Sequence, residues 1–233
     1  MERIAKIIAK CGYCSRRKAE ELIFAGKVTL NAEIVNSPAV NVLEDDVITI
    51  NGKKLDRSAF IERLFIYYKP AGLLCTNHDE KGRETIFDHL PDHLPRLMSV
   101  GRLDLNTEGL LLLTTSGELA RKMELPATGL VRSYSARVLG KIDPLQFKKL
   151  ANGVAIDGVN YGPVDVTIEK MNPKAANNWL SVSIREGKNR EVRKILASIG
   201  LTVNRLIRKT YGPYSLDGLK KGQIKEVPIV KIP

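Results

Sequence analysis

One carboxylate, Asp104, stands in the run Gly101-Arg102-Leu103-Asp104-Leu105-Asn106-Thr107-Glu108-Gly109, with four leucines, Leu110 to Leu113, directly behind it. A basic neighbour, Arg102, and a polar stretch bounded by glycines place that acid on a tight loop. An apolar run of this kind has to be buried, so it predicts a core strand that anchors the loop. No second carboxylate is paired with Asp104 in the sequence, and no His or Cys set surrounds it. That arrangement suits a nucleophile rather than half of an acid/base pair.

Other reactive residue types offer less. Cys11 and Cys14 form a C-x-x-C, and Cys75 with His78 a C-x-x-H, but they lie in distant segments. Zinc modules set two such knuckles at domain-like spacing. The three cysteines are therefore read as semi-buried thiols, with no disulfide framework and no metal. Neither G-x-G-x-x-G nor G-x-x-x-x-G-K-[ST] occurs, so no nucleotide cofactor is expected.

Positive charge is placed unusually. The chain carries 37 Lys and Arg against 26 Asp and Glu, a net charge of +11. Arg16, Arg17 and Lys18 fall in the first turn of a predicted helix, where the helix dipole disfavours cations. Lys188, Arg190, Arg193 and Lys194 crowd the start of a second predicted helix, whose apolar face is Val192, Ile195, Leu196 and Ile199. Both placements make sense if phosphate docks at the free N–H groups of each helix start. Arg205, Arg208 and Lys209 add a third patch, and the whole balance points to a nucleic acid. There is no run of apolar residues long enough for a membrane span and no apolar leader, which predicts a cytoplasmic protein without a membrane partner.

The elements that position these residues fall into two groups. Ile4, Ile7 and Ile8 have helical spacing, and Ser15 is a candidate N-cap for a helix that Gly26 closes. Short strand-like runs follow at Val28–Leu30, Ile34–Val35 and Val47–Ile50, then a polar stretch from Lys53 to Glu62. Beyond it, strands are expected at Leu64–Tyr68, Tyr134–Leu139 and Trp179–Ile184, with helices near Gly117–Met123 and Pro144–Leu150. The expected fold is α+β: a large domain on a mixed, largely antiparallel sheet, and a small N-terminal α/β domain. The boundaries are set at 1–55 for the small domain, 56–62 for a linker and 63–233 for the large one.

Several segments together resemble one family. Gly101 to Gly117 resembles the signature of the RsuA/RluB-type ribosomal RNA pseudouridine synthases. Lys69-Pro70-Ala71-Gly72 resembles the family's K-P-x-G, and Arg132-Ser133-Tyr134 its basic-x-Tyr motif. Glu186 to Lys194 resembles E-G-[RK]-N-R-x-V-R-[RK], and Arg205 to Gly212 the closing R-L-I-R-x-x-Y-G, nearer the large-subunit branch. Ser15 to Ile23 and Gly26 to Asn31, with Lys27, are similar to the small RNA-binding domain of ribosomal small-subunit protein four.

The resemblance implies isomerisation of uridine to pseudouridine in ribosomal RNA, with Asp104, Tyr134 and Arg193 as catalytic residues and no cofactor. Asp104 would act either by covalent attack at the anomeric carbon or by abstracting the neighbouring C2′ proton towards a glycal; the residue types leave both routes open. Arg193 would be the fixed cation that keeps the carboxylate charged. Tyr134 would offer a face for the extruded uracil, and Arg102 would fill the gap that the base leaves or bind its phosphate. The implied RNA contacts are Arg16, Arg17, Lys18, Lys27, Arg102, Lys188, Arg190, Lys194, Arg208 and Lys209. Ribosomal RNA is then the partner, a monomer suffices, and no protein partner is obligatory. A synthase acting on small-subunit or another RNA, or a non-catalytic ribosome-assembly protein, are the competing readings.

Overall fold

The computed structural model describes residues 1–58, 60–172 and 175–232, which divide into two compact units. The first comprises Met1–Arg63 with two short segments, His93–Leu97 and Thr115–Gly117. Helix α1, Ile4–Lys10, buries Ile4, Ala5, Ile7 and Ile8. Helix α2, Arg16–Phe24, starts where the Lys18 N–H donates to Ser15 Oγ at 3.1 Å and buries Ala19 and Ile23. Gly26, at φ +66°, supplies the left-handed turn that ends it.

Both helices close one core with a small antiparallel sheet ordered Glu33–Ile34, Val28–Leu30, Ile48–Ile50 and Lys53–Lys54. The polar stretch that begins at Lys53 therefore opens as a strand. Lys53 and Lys54 pair with Ile50 and Thr49, and Leu55 packs into the same core. Alternation over two residues is too short a signal to read from sequence.

The second unit is built on a nine-stranded sheet. Its main order is Asp165–Lys170, Asn177–Ile184, Arg132–Leu139, Thr202–Tyr211, Thr107–Thr114, Leu64–Lys69 and Ile224–Val227. Neighbours on that path are antiparallel except Thr107–Thr114 against Thr202–Tyr211. The chain is thus α+β on a mixed sheet, as its alternating patterns imply. The leucine run lies in the middle of the sheet, and Leu110 to Leu113 are wholly buried. Helices α3 (Gly117–Glu124), α4 (Pro144–Leu150) and α5 (Glu191–Ser198) bury one face each, through Leu119 and Met123, Phe147 and Leu150, and Val192, Ile195 and Leu196. No helix among the described residues is long and apolar enough to cross a membrane.

Gly109 decides how closely the two parallel strands approach. A Cβ there would lie 2.3 Å from the Arg208 carbonyl oxygen, and the residue sits at φ +109°. Only glycine fits both demands.

Candidate active site

The Asp104 loop leads into the buried strand Thr107–Thr114, and several of its backbone groups are tied to neighbouring elements. The Asp104 carbonyl accepts the Thr107 N–H at 3.0 Å, and the Leu105 carbonyl accepts the Gly72 N–H at 2.8 Å. Lys69, fully buried, donates from Nζ to the carbonyls of Pro70 (2.9 Å), Thr107 (3.1 Å), Asp104 and Leu105 (both 3.3 Å). Cys75 Sγ accepts the Leu103 N–H at 3.4 Å, and Arg193 Nη2 donates to the Asn106 carbonyl at 3.2 Å. On the preceding side, Glu124 Oε1 accepts the Gly101 N–H at 2.7 Å. A loop held this way keeps its one outward carboxylate in place.

That carboxylate opens onto a cleft of about 640 Å³, lined also by Arg102, Thr107, Tyr134, Lys188, Arg190 and Arg208. Tyr134 is buried on the strand Arg132–Leu139, opposite Arg208 across a register shift at Ser133/Tyr134. Arg132 is buried behind it: Nη2 donates to the Tyr211 hydroxyl at 2.7 Å, and Nη1 to the carbonyls of Leu130 and Arg185. The Tyr211 hydroxyl in turn donates to the Met123 carbonyl at 3.0 Å.

The nearest cation to Asp104 is Arg190, with Nη1 3.8 Å from Oδ2. Arg193, assigned that place by resemblance, points its Nη1 to the Val203 carbonyl (2.8 Å) and its Nη2 to Asn106. It does not line the cleft. Burial, with Arg190 beside it, lowers the Arg193 guanidinium from its ordinary value, and Asp104 opposes that shift. Arg193 therefore braces the loop backbone and feels Asp104 only at longer range.

Two further corrections concern charge. The basic run at 188–194 does not open a helix with cations alone, because α5 begins at Glu191 and Lys188 and Arg190 precede it. Nor is Asp104 a solitary acid in space: Glu124, Glu186 and Glu191 line the same cleft. Sequence separation hid them. The clue was the spacing Lys188-x-x-Glu191, a carboxylate reaching back to an N–H three residues earlier.

Arg208, expected among the basic residues that contact RNA, is 3% exposed. Its Nε donates to the Leu110 carbonyl at 2.7 Å, and its guanidinium lies 5.1 Å from the Tyr211 ring centre. Arg208 Nη2 and Thr107 Oγ1 are buried without a hydrogen-bond partner. Lys194 and Lys209 are exposed and do not line the cleft. Arg16, Arg17, Lys18 and Lys27 are exposed in the first unit, where Arg16 faces Glu20 at 3.5 Å and Lys18 faces Glu21 at 2.8 Å. Lys69, Arg132 and Glu191 went unassigned from sequence, although all three lie inside quoted motifs, Glu191 at the variable position of its own.

A carboxylate on a braced loop, a buried tyrosine and arginines around one open cleft suit an enzyme that works on a polyanion. Comparison with known proteins is specific. Residues 63–198 match the RNA pseudouridylate synthase family, and residues 2–48 match the S4 domain. The chain is 48% identical to an RNA pseudouridine synthase of Rickettsia bellii over 227 residues, 97% of each chain. It is 39% identical to ribosomal large subunit pseudouridine synthase B of Yersinia pestis over 235 residues, 98% of this chain and 73% of that one. A solved pseudouridylate synthase superposes with a TM-score of 0.67 at 26% identity, covering 98% of this chain and 96% of the other. The chain belongs to the RNA pseudouridylate synthase family. It is an isomerase of RNA with an S4 RNA-binding domain in its N-terminal region.

Proposed function

We propose that this synthase converts particular uridines of large-subunit ribosomal RNA to pseudouridine, with Asp104 as the nucleophile. The observation that carries this is Asp104 itself, half-buried on a loop braced by Lys69, facing the cleft 3.8 Å from Arg190. Relatives named ribosomal large subunit pseudouridine synthase B, in Yersinia pestis and Shigella flexneri, support the choice of RNA.

The uridine leaves its stack to enter the cleft, which costs least in a loop or junction. Its N1–C1′ bond breaks, the uracil turns, and a C5–C1′ bond forms. The proton on C5 goes to solvent and N1 takes one up, so the reaction is redox-neutral and needs no cofactor. Asp104 acts at C1′. Tyr134 offers its ring to the displaced base. Arg190 faces the carboxylate across 3.8 Å, while Arg193 keeps the loop in register. Arg102 and Lys188 meet the flanking phosphates, with Lys194 and Lys209 as outlying contacts.

Residues 1–55 dock on structured RNA through Arg16, Arg17, Lys18 and Lys27, and the link over 56–62 raises the effective concentration of the catalytic part. One chain supplies every group the reaction uses, so it acts as a monomer in the cytoplasm. The test is to incubate the purified protein with unmodified large- and small-subunit ribosomal RNA transcripts and map pseudouridine by chemical adduct and primer extension. New stops in the large-subunit RNA alone are expected. Stops only in the small-subunit RNA, or none at all, refute the reading.

A further inference from the structure

The 186–191 segment reaches Asp104 through Arg190, and its own anchoring rests on two carboxyls. Glu186 Oε1 accepts the Gly162 N–H at 2.7 Å, and Oε2 pairs with Lys188 Nζ. Lys188 Nζ also donates to the Asn160 carbonyl at 2.8 Å and lies 5.5 Å from the centre of the Tyr161 ring. Glu191 is 3% exposed; its Oε2 accepts the Lys188 N–H at 2.8 Å, which closes the turn back on itself. Its other oxygen, Oε1, is buried without a hydrogen-bond partner, and the Glu186 side chain lies within hydrogen-bonding reach of the Glu191 carboxyl. Two carboxylates cannot bond each other, but a carboxylic acid donates to a carboxylate. One proton between them accounts for the atom that otherwise lacks a partner.

We propose that Glu191 is a positioning residue for the reaction: its carboxyl shares one proton with Glu186, and the pair clasps residues 186–190 so that Arg190 faces Asp104. The inference rests on the pseudouridine synthase reading of the cleft. Arg190, at φ 52°, holds a backbone conformation that only its surroundings can enforce, and Glu191 is the next residue. The charged groups facing Glu191 are Glu186 and Lys188. The neighbouring strand Val159–Tyr161 and the residue after it contribute the Asn160 carbonyl, the Tyr161 ring and the Gly162 N–H.

Titration of the pair follows from this geometry. Burial, reinforced by the Glu186 charge, pushes the Glu191 carboxyl up to about 7. Burial would raise Glu186 as well, but Lys188 and the Gly162 N–H outweigh it and hold that carboxyl below its usual range. Below that pH the clasp is closed. Above it, two like charges meet in a buried place with only Lys188 between them, and Arg190 loses its seat.

The experiment uses the full chain as wild type, Glu191→Gln and Glu191→Leu. Glutamate-carboxyl 13C shifts and turnover of large-subunit ribosomal RNA are both followed from about pH 5 to about pH 9. In the wild type one glutamate carboxyl titrates near neutrality and kcat falls with the same midpoint, while KM stays level. Glu191→Gln keeps both hydrogen bonds without a proton to lose. It removes that titration and holds kcat within about threefold of the wild-type plateau across the range. Glu191→Leu lowers kcat at least about tenfold at every pH. The proposal is overturned if no carboxyl titration disappears in Glu191→Gln, or if the Gln variant shares the wild-type profile. An inactive wild type refutes the reading of function instead, and the carboxyl titration still decides the pair.

Discussion

Lys69 carries a positive charge to a fully buried place, and it is tolerated because four carbonyl oxygens of its own turn and of the Asp104 loop surround the ammonium. Burial lowers its pKa from the ordinary lysine value, with the charges of the Asp104 neighbourhood resisting the shift. Lys69→Met leaves those carbonyls without a donor. It should cost about 3 kcal/mol in denaturant unfolding and at least about a hundredfold in kcat. Thr107→Val does the opposite experiment: its hydroxyl is buried and unpartnered, so an isosteric methyl should leave stability level or raise it by about 1 kcal/mol. A loss as large as that of Lys69→Met would mean that the hydroxyl has a partner in solution. Asp104 was legible because its loop is continuous in sequence. The roles of Lys69 and Arg132 were not, because a motif tells which residue recurs but not which distant carbonyl it meets.

Helix boundaries separate the legible from the hidden at the next scale. The Ser15 cap and the Gly26 stop of α2 are local signals, and the helix between them forms where they say. The start of α5 is different. Its basic residues drew attention to phosphate, whereas the first helical residue is Glu191, buried and bonded to the turn before it. The three cations of α2 do stand in its first turn, and the pairs of Arg16 with Glu20 and Lys18 with Glu21 are exposed, so each pair is worth little and yields readily to phosphate. Replacing Arg16, Arg17 and Lys18 together by alanine should weaken RNA binding and flatten the plot of log affinity against log salt by up to about two to three. An unchanged slope in filter-binding titrations would remove this helix from the RNA interface. The strand pair Lys53–Lys54 with Ile50 was not foreseen, since two residues carry no period.

Across the whole molecule, each unit has its own core, and the second is organised around one buried strand that carries both the leucines and the Asp104 loop. On that strand Glu108, buried, meets Arg205 Nε at 2.7 Å and Lys221 Nζ at 2.5 Å. The Arg205 hydrogen bond, opposed by burial and helped by Lys221, holds the Glu108 carboxyl below the ordinary glutamate range. Its folded value is thus lower than its unfolded one. The stability it adds is full above the unfolded pKa and is lost as pH falls through the folded value. Thermal midpoints followed downward from neutrality should fall less steeply in Glu108→Gln than in the wild type; parallel curves would show that this ion pair is not coupled to folding.

The central claim, that Asp104 performs the isomerisation, is tested most directly by tritium release. The bond that forms at C5 expels the hydrogen held there, so ribosomal RNA transcribed with 5-tritiated uridine reports each turnover as tritium in water. Wild type should release tritium in proportion to the uridines it converts. Asp104→Asn, folded and binding the same RNA, should release none above background. Release by that variant at the wild-type rate would contradict the account.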